Sequence, residues 1–406
     1  MLLAFRELRV NKLRTFLSLL GITIGIFCII SIFSAVDSLQ SNLNKSMNKL
    51  GDNLLYINKW PWTFGADYAW WKYWKRPCAK YEEMQLISEQ VPDAEHTAIA
   101  IWLDSKTLKN SSLAAENITV ACVSQDYDHI QSMEFTSGRF FTPSESDGGQ
   151  PVVILGSDVT DVLFPGVTDP TGREIKYEGN VLHVIGTFKR EGESLLDNSL
   201  DKMAMVPFNF IAKKIHFDGF QYEPMIIVKP RPEVLLSDLK DQISGVLRPV
   251  RRLKPGEDDN FAMNQMTMIT NQMDSMFGVV DIAGWIIGGF AILVGGFGVA
   301  NIMFVSVRER TNLIGIKMAL GAKRSFILLE FLSEAMILAV IGGAVGLLLV
   351  FLATKAASSV IAFEFVLDFK NMTMGLLISA VIGIIAGFMP ALSASRLNPV
   401  EAIRFK

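Results

Sequence analysis

In this 406-residue sequence, few of the residues able to catalyse a reaction or bind a metal have the spacing that such a site requires. Cys28 lies in an apolar run, while Cys78 and Cys122 could form a disulfide only in an oxidising compartment. The four histidines are scattered without the spacing of zinc ligands. The sequence contains no G-x-S-x-G, HExxH or G-x-x-x-x-G-K-[ST] motif. We therefore expect no catalytic residue, metal or cofactor in this chain.

Five methionines cluster near residue 270 and could form a metal site. They are Met263, Met266, Met268, Met273 and Met276. Thioethers suit Cu(I), but methionine is also the adaptable filler of helix interfaces. We favour the packing role.

The most unusual segment is the tryptophan-rich segment, residues 60–76. It contains Trp60, Trp62, Trp70, Trp71 and Trp74, with Lys72, Lys75 and Arg76. Exposed Trp and Arg are typical of partner surfaces, and Trp also anchors proteins at membrane surfaces. A loop packed on its own domain is a third interpretation, because Trp is highly buried on average. All three stay open.

Four apolar runs predict the elements around these residues. Each contains about 20 residues without Asp, Glu, Lys or Arg, the length that a membrane-spanning helix needs. The predicted spans are 15–36, 282–307, 326–355 (with its charge-free part at 335–354) and 372–395. Asp281, Glu330 and Glu334 lie at span ends, where we interpret them as ordinary interfacial carboxylates.

Basic residues near the predicted spans set the orientation. They concentrate in residues 1–14, 308–325 and 396–406, which we place in the cytoplasm by the positive-inside rule. Residues 1–14 also have the pattern of an amphipathic helix on the inner leaflet. Residues 37–281 and the short loop 356–371 are then extracytoplasmic. The net charge of −3 gives no support for a nucleic-acid partner.

Every predicted span carries two glycines four residues apart. The pairs are Gly21 with Gly25, Gly284 with Gly288, Gly342 with Gly346, and Gly383 with Gly387. Such pairs let helix backbones approach closely in lipid. They predict a tightly packed helix bundle, a dimer seam, or both.

The region between the first two spans predicts an α+β domain, with helical extensions at 37–50 and from about 266. Strands are expected at 53–58, 97–103, 117–123, 152–155 and 224–228, helices at 81–90 and 233–250, and a hairpin at 172–189. We expect two lobes. The predicted fold class is therefore a membrane protein of four transmembrane helices with a large α+β domain between helices 1 and 2.

Three ordered segments resemble a known family. They are RELRVNKLRTFLSLLGITIGI at the start, GGFGVANIMFVSVRERTNLIGIKMALGAKRSFILLEFLSEA from residue 295, and PALSASRLNPVEAIRFK at the end. Residues 278–400 resemble the FtsX-like permease domain, most closely that of MacB-type ABC exporters. The middle resembles the family's periplasmic core domain in position and size.

The resemblance implies a partner and a mechanism. In the family, the loop after the second span contacts the ATPase, which implies that role for Glu309, Arg310, Thr311, Gly315, Ala319, Leu320 and Gly321. MacB proteins carry an ATPase ahead of the first helix. Because no phosphate loop occurs here, we expect ATP and Mg²⁺ to bind a separate cytoplasmic ABC ATPase, and this chain to be a non-catalytic permease.

The resemblance also implies an assembly. We expect a homodimer or a heterodimer with a related permease, in lipid of the bacterial inner membrane. Periplasmic movement would drive substrate through an adaptor and an outer-membrane channel. The alternatives are a lipoprotein-releasing permease, an FtsX-like regulator of cell-wall hydrolases, and an envelope sensor. A basic loop that only sets topology is the alternative to the ATPase-contacting helix.

Overall fold

The computed structural model describes residues 12–50, 53–63, 68–192, 199–215, 217, 222–360 and 367–404. Most of the predicted helix at 1–14, part of the loop 356–371 and the last two residues of the tail lie outside them. The chain forms two compact units. The first comprises Met1–Ser41 with Asp274–Lys406, and the second comprises Asn42–Met273.

The described residues contain thirteen α-helices and ten strands. The helices are α1 (Lys12–Leu50), α2 (Trp70–Tyr73), α3 (Tyr81–Gln90), α4 (Tyr127–Ile130), α5 (Pro143–Asp147), α6 (Ser157–Leu163), α7 (Phe208–Ala212), α8 (Leu236–Val250), α9 (Met266–Glu309), α10 (Thr311–Ala319), α11 (Arg324–Val360), α12 (Phe369–Ser395) and α13 (Pro399–Arg404). The strands are β1 (Leu55–Asn58), β2 (Ala94–Asn110), β3 (Leu113–Val123), β4 (Phe135–Gly138), β5 (Val152–Leu155), β6 (Glu174–Tyr177), β7 (Asn180–Phe188), β8 (Met203–Pro207), β9 (Met225–Pro230) and β10 (Ala262–Gln265).

Helices α1, α9, α11 and α12 are long and apolar enough to cross a membrane, and they are the four such helices among the described residues. Each of them contains a stretch of about 20 or more residues without a charged side chain, which is what a hydrocarbon environment requires. An α+β unit separates the first of them from the second. The predicted fold class is confirmed.

Small residues set the distances between these helices. A Cβ built on Gly21 would lie 2.7 Å from Gly295 Cα, so α1 and α9 approach at backbone contact there. A Cβ on Gly383 would lie 2.7 Å from the Cβ of Ala339, which joins α12 to α11 in the same way. Close backbone approach of this kind is how helices associate in lipid without a hydrophobic driving force.

The second unit is built on one ten-stranded sheet. Its order is β10-β1-β9-β2-β3-β8-β5-β7-β4, and β6 pairs with both β2 and β7. Strands β2, β3, β8, β5, β7 and β6 therefore close into a ring. The sheet is continuous along the unit, because the 17-residue strand β2 pairs with β9 through its first half and with β6 near its end.

Alternating side chains give this sheet two apolar faces. Leu55 and Ile57 of β1 belong to one buried cluster, which α3 and α8 cover with Ile87 and Leu239. Tyr56, between them, belongs to a second cluster on the opposite face. Because successive side chains of a strand point to opposite faces, a single sheet supports both cores.

Two ion pairs fix helices of this unit. Arg251, after α8, donates to both carboxylate oxygens of Glu83 in α3 at 2.8 Å. Arg139 likewise donates to Glu145 in α5, at 2.7 and 2.8 Å. This hydrogen bond from Arg139, together with those from the Thr142 backbone and side chain, lowers the pKa of Glu145 to about 2 despite its partial burial.

Candidate functional site

Helix α10 lies between the second and third spans, separated from each by a short turn. Helix α9 ends at Glu309, and Arg310 is the N-cap of α10. At the other end, Gly321 has a φ of +95°, and its N–H donates to Met318 O at 3.1 Å. Glycine adopts this left-handed conformation at little cost, so it ends the helix and redirects the chain into α11.

Two ion pairs hold α10 against α11. Arg310 pairs with Glu334 at 3.3 Å, and the Lys317 ammonium lies 2.7 and 2.9 Å from the two oxygens of Glu330. Glu330 and Glu334 are one helical turn apart and therefore face the same side of α11. Our interpretation of them as ordinary interfacial carboxylates missed these partners. Their i, i+4 spacing opposite a basic segment was the available signal.

The C-terminal helix α13 packs on α10 at a glycine. A Cβ on Gly315 would lie 2.8 Å from Ala402 Cβ and 3.0 Å from Ile403 N. The Asn312 side-chain amide donates to Ile403 O at 3.3 Å across the same contact. Gly315 is thus required for the close approach of two short helices, and the tail is part of the site.

The other face of α10 carries exposed apolar side chains. Leu313, Ile316 and Leu320 follow i, i+3, i+7 spacing and are all exposed, Leu320 at 84%. Val400 and Ile403 of α13 are exposed as well. We call these five residues the apolar patch. Exposed apolar surface of this kind is typical of a contact with another protein or with a membrane.

The residues assigned to ATPase coupling by resemblance divide into two groups. Glu309, Ala319, Leu320 and Gly321 are exposed. Thr311 and Gly315 are buried, and Arg310 is half-buried in its ion pair. The first group can meet a partner directly, and the second holds α10 in position.

The tryptophan-rich segment is packed in its first part. The Trp60 indole donates to Glu223 at 2.8 Å, and the ring of Trp62 lies 5.0 Å from that of Tyr56. The buried Lys59 ammonium lies 4.9 Å from the Trp60 ring and 5.4 Å from the Trp74 ring. These contacts are typical of a loop that folds onto its own domain.

Its later part is exposed. Trp70 and Trp71 of α2 are 57% and 63% exposed, and their rings meet edge to face at 6.0 Å. Trp74 is also exposed. Arg76 anchors the segment through a bond to Asp259 O at 2.8 Å. A fixed base with exposed aromatic side chains is suited to contact another surface.

The other sequence candidates are dispersed. Cys78 and Cys122 form no disulfide, and Cys122 is buried in the core. Within the described ranges, no group of three or more His, Cys, Asp or Glu side chains could hold a metal ion. Met263 lies in β10, Met276 is exposed, and Met266 lines a cavity described below. Met268 and Met273 are half-buried in α9.

The paired glycines lie at contacts between helices of the same chain. Gly25 faces Ile292, Gly284 faces Ile32, and Gly288 faces Ile29. The remaining contacts join Gly346 to Thr23 and Gly387 to Ala335, and the buried Gly342 accepts a bond from the Thr23 hydroxyl at 3.0 Å. With Gly21 and Gly383, described above, all eight pack within the chain. These faces are therefore already occupied.

Two family models match the chain. Residues 15–246 match the MacB-like periplasmic core domain. Residues 285–399 match the FtsX-like permease C-terminal model. The first match alone covers more than half of the sequence.

Curated relatives match almost the whole chain. The macrolide export ATP-binding/permease protein MacB of Neisseria gonorrhoeae is 31% identical over 399 residues, covering 97% of this chain and 58% of that protein. The MacB of Escherichia coli O157:H7 is 30% identical over 419 residues, covering 99% of this chain and 60% of that protein. The chain thus spans about three fifths of the length of these relatives.

Two solved structures match part of the chain at low sequence identity. The periplasmic region of MacB from Actinobacillus actinomycetemcomitans matches with a TM-score of 0.44 and 13% identity, covering 57% of this chain and 96% of that structure. The extracellular domain of the noncanonic ABC-type transporter YknZ from Gram-positive bacteria matches with a TM-score of 0.40 and 17% identity, covering 52% of this chain and 100% of that structure.

Four spans, an inserted α+β unit and a short helix between the second and third spans define a membrane permease with an extracytoplasmic domain. The chain belongs to the MacB-like, FtsX-like family of ABC transporter permeases.

Proposed function

We propose that this permease couples ATP hydrolysis by a separate cytoplasmic ATPase subunit to movement of its extracytoplasmic domain. The observation that carries the proposal is the apolar patch on α10 and α13, held by two ion pairs and a glycine contact. Closure of the ATPase would push on this patch. Both termini and α10 would then lie in the cytoplasm, where the basic residues beside the spans favour them.

The spans themselves support a mechanical role. Their seams are closed by glycines against neighbouring backbone and side chains of the same chain, so we propose that they transmit movement and form no cargo pathway. The working unit is a dimer in the inner membrane. Since the paired glycines are used within the chain, the dimer contact uses other faces.

The proposed process is export of substrate from the periplasm through an adaptor and an outer-membrane channel. The names of the curated relatives, which describe macrolide export, support an export role here. We further propose that the exposed Trp70 and Trp71 contact a periplasmic partner. The Trp70→Ala, Trp71→Ala variant should lose that partner in crosslinking while keeping its unfolding temperature, and loss of folding would show that the two rings only pack on their domain.

The ATPase contact is tested with two matched variants. Leu320→Asp places a charge in the apolar patch, whereas Leu235→Asp makes the same change at a 68% exposed position of the second unit. Truncating or charging a central interface residue costs about 2 kcal/mol or more, roughly a 30-fold loss of affinity. We expect Leu320→Asp to lose co-purification with the ATPase and stimulation of its hydrolysis, and Leu235→Asp to retain both.

A second pair of variants distinguishes residues that contact the ATPase from residues that hold α10 in place. Glu309→Lys alters an exposed side chain, while Gly315→Trp forces α13 away from α10. Both should weaken ATPase binding, but only Gly315→Trp should increase protease cleavage near residue 399. The coupling assignment would be disproved if Leu320→Asp and the Glu309→Lys, Gly315→Trp double variant both bound the ATPase and stimulated its hydrolysis as fully as the wild type.

A further inference from the structure

The second unit contains a cavity of about 240 Å³. Its floor is formed by β1, β9, β2, β3 and β8, five neighbouring strands of the sheet. Helix α4, Trp62 and Leu200 form its walls. Fourteen residues line the cavity, and none of them carries a charge.

A small residue between large ones makes the floor concave. Register pairs Trp102 of β2 with Ala121 of β3, and Ala121 with Met205 of β8. All three side chains line the cavity. Because the alanine stops at Cβ, the indole and the thioether on either side rise above it and leave space over the sheet.

The walls combine aromatic rings with thioethers. Tyr56 and Trp62 contact each other at one side, and Met203, Met225 and Met266 line the cavity with them. Flexible thioethers adapt to ligands of different shapes and make favourable contacts with aromatic rings. A lining of this composition is typical of sites for apolar ligands.

Few polar groups reach the cavity, and they stay uncharged. The Tyr127 hydroxyl donates to the Gln131 amide oxygen at 2.5 Å. Burial raises the pKa of Tyr56 to about 12, and burial also raises the pKa of Tyr127. Five lining residues, among them Gln131, are half-buried, so the cavity is open to solvent on their side: Trp62, Trp102, Gln131, Met225 and Met266.

From this geometry we propose that the cavity is a binding site for a small, uncharged, compact apolar molecule. An apolar cavity of about 150 Å³ binds benzene, so about 240 Å³ accommodates a substituted or fused ring. A charged ligand is excluded, because no lining residue offers the opposite charge. The site is separate from the apolar patch, and its test needs no ATPase.

The experiment uses the full chain in lipid nanodiscs and bromobenzene as the probe. Trp62 and Trp102 line the cavity, so a bound heavy atom quenches their fluorescence. The Trp285→Phe background removes the tryptophan of α9. 4-Bromobenzenesulfonate is the charged counterpart, and 1-bromooctane is the extended one. We expect saturable quenching by bromobenzene that exceeds quenching by either analogue.

Two variants test whether quenching comes from the cavity. Ala121→Phe fills the floor, and the saturable component should disappear. Gln131→Glu adds a charge to the half-buried lining without changing side-chain size, and it should weaken bromobenzene binding at least about tenfold, as expected for an apolar ligand beside a charge. Gln90→Glu makes the same change at an exposed position outside the cavity and should bind like the wild type.

Several results would overturn the proposal. They are equal saturable quenching in wild type and Gln131→Glu, equal quenching by the sulfonate, or absence of saturation in the wild type. Tighter binding of 1-bromooctane would overturn the assignment of a compact ligand. Thermal unfolding of each variant shows whether it is folded. If Ala121→Phe fails to fold, Gln131→Glu still decides the outcome.

Discussion

The Glu83–Arg251 ion pair gives the sharpest test of what stabilises the extracytoplasmic unit. Both side chains are buried, at 6% and 5% exposure, and their two bonds at 2.8 Å are bidentate. Arg251 also donates to Asn260 O at 3.1 Å and lies over the Phe261 ring. Glu83→Leu would therefore leave a buried guanidinium without its counter-charge.

Breaking a buried pair by removing one partner costs about 3–5 kcal/mol. A unit of this size loses about 2–4 °C of unfolding temperature per kcal/mol, so the expected drop is roughly 6–20 °C. The assay is thermal unfolding of the purified chain, followed by tryptophan fluorescence. In the double variant Glu83→Leu, Arg251→Met no charge remains, so a large part of the loss should be recovered.

Two outcomes would refute this reasoning. A drop below about 2 °C for Glu83→Leu would mean that the arginine keeps its solvation, contrary to its burial. A double variant as unstable as the sum of the two single ones would mean that the pair is not energetically coupled. The exposed Glu82→Leu, one residue earlier on α3, is the matched control and should change the midpoint little.

Three further outcomes are expected. Lys317→Glu should reduce stimulation of the ATPase, because loss of the ion pair with Glu330 loosens α10. Adding Glu330→Lys should restore the stimulation, and ATPase assays of both variants measure this. Absence of rescue would contradict the ion pair. Gly383→Leu should prevent accumulation of folded protein in the membrane, whereas Gly289→Leu, with open space around its Cβ, should not, as measured by fluorescence-detected size exclusion. The pKa of Glu145 is lowered to about 2 from an ordinary 4.5, so its stabilising contribution is complete above about pH 4.5 and is lost as the pH falls towards 2. Over that pH range, Glu145→Gln should therefore lose less stability than the wild type. Unfolding temperatures that fall in parallel for the two proteins would contradict this prediction.

Much of the fold follows from local sequence. Uncharged apolar runs predict the four spans, because charge in hydrocarbon is costly. The predicted helix at 81–90 and strand at 152–155 have the observed bounds. The Glu178-Gly179 turn of the predicted hairpin has both residues at positive φ, as a two-residue hairpin loop requires.

The closed ring of strands does not follow from local sequence. The predicted strand 97–103 stops before Asp104, Ser105 and Lys106, which are polar. In the structure it continues through a register shift at Leu103/Lys106, with Ser105 at a φ of +55°. Such bulges bend a strand while it keeps its partner, and the partner β6 lies some 70 residues away in sequence.

The candidate ATPase-contacting site is likewise only partly predictable from local sequence. The resemblance of SVRERTNLIGIKMALGAKR to the family loop locates α10, but it does not separate exposed from buried positions. Gly315 has its role because Ala402 lies across from it, and Lys317 because Glu330 does. These pairings between distant segments have no local signal in a single sequence.

The position of β1 has a consequence for biosynthesis. This strand follows directly after the first span, yet its two neighbours in the sheet are β9 and β10. A ribosome must therefore add about 200 more residues before β1 is paired on both sides. A nascent chain released before residue 262 would present an open strand edge to proteases and to other chains. Quality control of this protein should depend on how promptly the second span follows the first into the membrane.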